Sequence, residues 1–132
     1  IIQFTDIENK SINHEIHKII RKKKETKSNM LEHRKYLISI NNKVDICKDY
    51  GNFYENAIIG FHINSKEVQN FLNKFWKNYI SDNNTTYRDQ PLWNFMYISE
   101  NKKPIIDNEL INYFYGKKNI NRDIIDYNKL FF

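Results

Sequence analysis

Glycine and cysteine are scarce in this chain, and each scarcity excludes something. Its three glycines, Gly51, Gly60 and Gly116, lie far apart. A dinucleotide fingerprint and a Walker loop both need closely spaced glycines that let the backbone approach a phosphate, so neither motif can be built here. Cys47 is the only cysteine. An intramolecular disulfide and a cysteine-based zinc site are therefore out of reach, which fits a reducing compartment. Cys47 also has no histidine near it in sequence to activate it as a nucleophile. No apolar run approaches the length needed to cross a bilayer, and no signal peptide is visible. The expectation is a cytoplasmic protein without a membrane span.

What is present points to a folded domain. A hydrophobic content of 40% and an aromatic content of 15% are too high for a disordered chain. At 132 residues the chain is one domain's worth, 1–132, and short for a complete two-substrate enzyme. It opens on Ile1-Ile2-Gln3-Phe4, which reads as a strand already under way. The expectation is part of a larger domain.

The net charge of +5 raises the question of nucleic acid. Lysine here accompanies much asparagine and isoleucine, a mixture that an AT-rich genome produces with no selection for a partner. The positive residues are scattered apart from Arg21-Lys22-Lys23-Lys24. A helix C-terminus, which favours cations, accounts for that run. Nucleic acid is not the expected partner by the basic-patch criteria.

Periodicity gives the organisation. Residues 1–8 alternate weakly and read as a strand ending at Asp6-Ile7-Glu8. Ile12, Ile16, Ile19 and Ile20 then mark one face of an amphipathic helix, capped by Ser11 or Asn13 and fraying through residues 24–28. Residues 30–40 fit helix or strand. Asn41-Asn42, Asp49 and Gly51-Asn52 supply turn chemistry around Val44-Asp45-Ile46. Ala57-Ile58-Ile59-Gly60-Phe61-His62-Ile63 is a near-continuous apolar run, as in a strand covered on both faces. Asn64 stands as an N-cap with Glu67 as its capping-box partner. Val68, Phe71, Leu72, Phe75, Trp76 and Tyr79 follow at helical spacing, with the aromatic residues facing the core. After a polar loop over 81–86, a second helix runs from about Asp89 to Ser99. Residues 104–107 form a short strand candidate. Aromatics then cluster at Tyr113, Phe114 and Tyr115 beside Leu110, ahead of Lys117-Lys118, and the tail closes on Leu130-Phe131-Phe132. The order implies an α/β fold, a small mixed sheet with packed helices.

The richest chemistry lies in Tyr87-Arg88-Asp89-Gln90-Pro91-Leu92-Trp93-Asn94. Asp89 can accept hydrogen bonds from a hydroxyl-rich ligand, Gln90 can donate and accept, and Arg88 can pair with a carboxylate or phosphate. That is the polar equipment of a sugar site. A plainer reading makes Asp89 a helix cap, with Pro91 in the first turn.

Taken in order, His33-Arg34, then Phe53-Tyr54-Glu55-Asn56-Ala57-Ile58-Ile59-Gly60-Phe61, the helix ending near Trp76 and the Arg88-Asp89-Gln90 triplet resemble the C-terminal part of GT-A-fold glycosyltransferases. The closest look is to the mucilage-type hexosyltransferases, in which a His-x-x-Arg-like element, an apolar strand, a Trp-bearing helix and Arg-Asp-Gln follow one another. The family-8 transferases are similar more loosely, through Asp89, Gln90 and Asn94. The likeness spans roughly residues 30–100. It implies transfer of a sugar from a nucleotide-sugar donor to a glycan or other hydroxyl acceptor, with a divalent metal, Mn2+ or Mg2+, on the diphosphate. It further implies that Asp89 and Gln90 act at the reacting centre and that Arg88, His33, Arg34 and Asn94 bind substrate. Asp6 and Glu8 are the nearest match to the family's Asp-x-Asp metal motif, although an acidic strand end is commonplace.

Other groups carry alternatives. His14 and His17, three apart on a helix, could share a metal but lack a third ligand in sequence. His62, in an apolar run, reads as a core histidine. His33 beside Arg34 reads as an exposed basic pair or a diphosphate contact. The rival to the transferase is a non-catalytic basic module that takes nucleic acid or an acidic partner through residues 22–24 and Lys117-Lys118, and an inactive transferase remnant is a third reading. The transferase requires Arg88, Asp89 and Gln90 in a concavity. The binding module leaves them convex and gathers the lysines on one face.

Overall fold

A computed structural model of the chain describes residues 1–109 apart from Phe4, residues 7–10, Asn52 and Ile58. Its elements run β1 (Ile2–Gln3), β2 (Thr5–Asp6), α1 (Ile12–Arg21), α2 (Lys27–Ile40), β3 (Phe53–Tyr54), α3 (Lys66–Tyr79), α4 (Asp89–Ser99) and β4 (Ile105–Ile106). The arrangement is α/β, with helices packed around short strands. The aromatic cluster after Leu110, the Lys117-Lys118 pair and the closing Leu130-Phe131-Phe132 fall outside the described residues.

The opening segment is the centre of the strand layer. β1 pairs in parallel with β4, with Ile2 opposite Ile105 and Gln3 opposite Ile106. The carbonyls of Ile1 and Gln3 face that side, accepting from the N–H groups of Ile105 and Asp107. Ile2 turns its own N–H and carbonyl the other way, to Gly60, and β2 pairs antiparallel with β3. Ile2 lies opposite Gly60 and Thr5 opposite Tyr54, so these pairings are three positions apart on one side and six on the other. The extra length on that side makes a bulge, in which Glu55 and Asn56 meet Gln3.

This corrects the apolar run at 57–63. Among its described residues only the Gly60 bridge pairs, and the strand is Phe53–Tyr54. Ile63 is 71% exposed and His62 is exposed as well, so His62 is not a core histidine. Apolar composition marked the region, but strand edges decide pairing, and among the described residues the opening segment engages only Gly60 there.

Helix caps follow local chemistry. Ser11 Oγ accepts from the His14 N–H, which selects Ser11 over Asn13 for α1. Residues 30–40 are helical, begun by Thr26, whose Oγ1 accepts from the Asn29 N–H. The cap of α3 is Ser65 rather than Asn64. Glu67 is then one position too early for a capping box and pairs with Lys102 instead.

α4 is the core element. Every residue from Pro91 to Tyr97 is buried, and the helix packs against α1, α3 and β3. Trp93 meets Phe71 at 5.1 Å and Phe75 at 4.9 Å, both edge to face, while Phe71 stacks on Tyr97 at 5.0 Å. Such pairs contribute about 1 kcal/mol each beyond their buried area. Trp76, expected in this core, is 57% exposed instead. α3 is narrowly amphipathic, and Phe71 and Phe75 already fill the side facing α4.

Candidate functional site

The loop before α4 fixes how the helix begins. Thr86 is buried, and its Oγ1 accepts from the Arg88 N–H at 3.1 Å while donating to Glu25 Oε2 at 3.0 Å. Glu25 Oε1 accepts from the Thr26 N–H and from Asn29. These bonds, the Thr26 N–H foremost, hold the Glu25 carboxyl below the usual carboxylate range, with the Arg88 charge adding to them. Arg88 is the N-cap of α4 without a side-chain cap bond, so Asp89 is the first helical residue rather than the cap. A carboxylate there complements the positive end of the helix dipole.

Asp89 is exposed but not loose. Its Oδ2 accepts from Asn56 Nδ2 at 2.9 Å. Asn56 Oδ1 accepts in turn from Gln3 Nε2 at 3.0 Å, and the same nitrogen donates to the Glu55 carbonyl at 2.8 Å. Gln3 Oε1 accepts from Trp93 Nε1 at 2.9 Å and from the Tyr97 hydroxyl. Gln3 has no exposed surface, and its amide is saturated. A relay thus runs from the core through Gln3 and the bulge to Asp89. Burial pushes the Tyr97 hydroxyl well above the usual phenol range, so it stays a donor in this relay.

Gln90 and Asn94 serve the fold directly. Asn94 Oδ1 accepts from the Tyr54 N–H at 2.8 Å and its Nδ2 donates to the Tyr54 carbonyl at 3.0 Å, as a neighbouring strand would. Gln90 Nε2 donates to the same carbonyl at 3.0 Å. Asn94 is 4% exposed, so its amide is committed to β3. Gln90 is half-buried.

His33 is fully buried, which corrects its reading as an exposed pair with Arg34. Asn84 gives its amide nitrogen to the Tyr79 carbonyl, so its oxygen faces the ring, and His33 Nδ1 donates to it at 3.0 Å. Burial lowers the His33 pKa to about 4 against the opposing pull of Asn84, and Nε2 is left buried without a hydrogen bond. A neutral ring has no charge to offer a diphosphate. It props the loop that carries Thr86 and Arg88. Arg34 is half-buried and lines a separate depression on the outer face of α2 with Glu32 and Lys35. Among the described residues, neither His33 nor Arg34 bonds to Asp89 or Gln90.

Two concavities adjoin α4. A polar depression of about 80 Å³ is lined by Lys18, Lys22, Lys24 and Arg88, by Glu15 and Glu55, and by Gln90. A larger cleft of about 270 Å³ lies toward the C-terminal half of α4, floored by Phe53, Tyr54 and Tyr97 and rimmed by Tyr50 and Lys103. Arg88 and Gln90 thus enter a concavity without the third member of the triplet that the transferase requires there, and two of the lysines of the rival module enter it with them. Asp89 stands outside it.

For a metal, the described residues offer no group of three or more His, Cys, Asp or Glu side chains. Glu8 lies outside the described residues, and of Asp6 only the backbone, in β2, is described. His14 and His17 are both exposed on α1. No described helix is long and apolar enough to cross a membrane.

Comparison with known protein families, with curated proteins and with solved structures finds no match to the chain. Gln3 and Asn56 are the site residues that sequence reasoning missed. The signal for Gln3 was a lone amide in the apolar stretch Ile1-Ile2-Gln3-Phe4. Asn56 had no local signal, because its role depends on the bulge.

Proposed function

We propose that the chain is the acceptor-side part of a GT-A-like glycosyltransferase, moving a sugar from a nucleotide-sugar donor to a hydroxyl acceptor. The observation that carries this reading is the aimed carboxylate of Asp89. One oxygen is fixed by Asn56, which is itself fixed by buried Gln3, so the other is presented in one direction. A carboxylate set in this way reads sugar hydroxyls by accepting their hydrogen bonds and can draw a proton from an acceptor hydroxyl. Arg88 stands next to it as a cation for the donor. Further support comes from the resemblance of the Arg88-Asp89-Gln90 order to the hexosyltransferases. In this reading Gln90 and Asn94 shape the site by holding β3, and Gln90 keeps one face toward the depression.

The described residues hold no group of three or more His, Cys, Asp or Glu side chains for the divalent cation that the resemblance implies. Asp6 and Glu8 stay its candidate ligands. The rival reading, a basic module for nucleic acid or an acidic partner, draws support from Lys22, Lys24 and Arg88 meeting at one depression.

Thermal shift with a panel of nucleotide sugars, with and without manganese, separates the two. A shift for one donor that weakens in Asp89→Asn supports transfer. No shift for any donor, together with stabilisation by a polyanion, supports the module.

A further inference from the structure

We propose that the polar depression between the C-terminal end of α1 and the start of α4 is a binding site for a phosphate monoester dianion. Its cations arrive from separate parts of the chain. Lys18 and Lys22 are one turn apart along α1 and its cap, Lys24 follows in the turn, and Arg88 comes from the N-cap of α4. Their convergence is a product of the fold, not of the basic run alone.

The turn after α1 is what brings Lys22 and Lys24 to one place. Lys23 adopts φ 55°, its N–H reaches the Ile20 carbonyl at 3.0 Å, and the Lys24 N–H reaches the Ile19 carbonyl at 3.1 Å. That pair of bonds defines a Schellman motif, whose left-handed residue is usually glycine. Here a lysine occupies it, and the reversal folds Lys24 back beneath the helix end so that it shares the depression with Lys22.

Charge and size then select the ligand. Lys18, Lys22, Lys24 and Arg88 face Glu15 and Glu55 in the lining, an excess of two positive charges. A phosphate monoester carries close to two negative charges at neutral pH. Glu25, outside the lining, offsets part of the Arg88 charge, its oxygens being engaged by Thr26, Asn29 and Thr86. The volume of about 80 Å³ is far below the roughly 300 Å³ at which sites for whole small molecules begin. The depression takes a compact oxyanion and leaves the rest of the ligand outside. Arg88 supplies a planar fork for two phosphate oxygens, and the lysines supply point charges.

The test is an amide NMR titration of the whole chain with inorganic phosphate at fixed ionic strength, with chloride as reference and a hexose 1-phosphate and a nucleoside diphosphate as further arms. Saturable shifts confined to the depression, around residues 15–24, 55 and 88–90, are expected, with Kd for inorganic phosphate on the order of 1 mM. The exposed double variant Lys22→Gln/Lys24→Gln should weaken binding about tenfold and Arg88→Gln about fivefold, as lost charge-assisted bonds require. Lys35→Gln/Lys77→Gln, distant and exposed, should leave Kd within about twofold. Whichever arm binds most tightly at the depression names the source of the phosphate. Non-saturating shifts spread over all lysines, equal weakening by the control pair, or no shift at all would each overturn the proposal. Inorganic phosphate reads the site without any sugar donor, so its failure is distinguishable from failure of the transferase reading.

Discussion

Acidification should cost this protein stability through one histidine. His33 is fully buried on α2, with Nδ1 on Asn84 and Nε2 without a partner, and burial lowers its pKa from 6.5 to about 4. The folded chain therefore refuses a proton that the unfolded chain accepts between pH 6.5 and pH 4. Stability from this group is complete above pH 6.5, falls as the pH drops through that window and levels off below about 4. At 1.36 kcal/mol for each pH unit of displacement, the loss is roughly 3 kcal/mol, a large part of a small domain's stability. Urea unfolding followed by circular dichroism from pH 7.5 to pH 4 measures it, with His33→Gln as the reference. Glutamine can still donate to Asn84 but cannot titrate. The wild type should lose about 3 kcal/mol more than His33→Gln across the window. A difference between the two proteins that does not change with pH would refute the reasoning.

Three substitutions test other parts of the structure, each by denaturant unfolding. Gln3→Leu strands the partners of four hydrogen bonds, Trp93 and Tyr97 among them, and should cost about 3–5 kcal/mol; a loss under about 1 kcal/mol would show the relay to be dispensable. Asn94→Leu removes the side-chain pairing with both backbone groups of Tyr54 and should cost about 2–3 kcal/mol, whereas a neutral result would mean that β3 is held by packing alone. Lys23→Gly relieves a side chain at φ 55° and should stabilise by about 0.5–1 kcal/mol; destabilisation would contradict the assigned turn.

Much of the helical framework was readable because its signals are local. The isoleucines of α1 repeat at helical spacing beside Ser11, and the Asp89–Ser99 span of α4 matches the sequence expectation. α2 resisted because its inner face consists of Met30, His33 and Leu37. A buried histidine in place of an apolar residue hides the period. Residues 57–63 misled for the opposite reason: apolarity was taken as pairing, yet strand partners are chosen across the sheet, and among the described residues of that run only Gly60 pairs with the opening segment. The site was half legible. Arg88, Asp89 and Gln90 stood out by residue type, but the bond from Asp89 to Asn56 spans 33 residues and depends on the bulge. Nothing in the local pattern told Asn94, which props a strand, from an amide that meets a ligand. Two adjacent residues, His33 and Arg34, looked like one basic unit until helical geometry sent the first into the core and the second to the outer face of α2.

Turnover tests the role of Asp89 most directly. Release of nucleoside diphosphate would be followed for the chain incubated with each nucleotide sugar, manganese and a mixture of glycan acceptors, beside folded Asp89→Asn and Asn56→Ala. The proposed function requires acceptor-dependent release from one donor, reduced about a hundredfold or more in Asp89→Asn and about tenfold or more in Asn56→Ala, with unfolding midpoints little changed. Wild-type turnover that survives intact in Asp89→Asn, or no turnover with any donor, would contradict it.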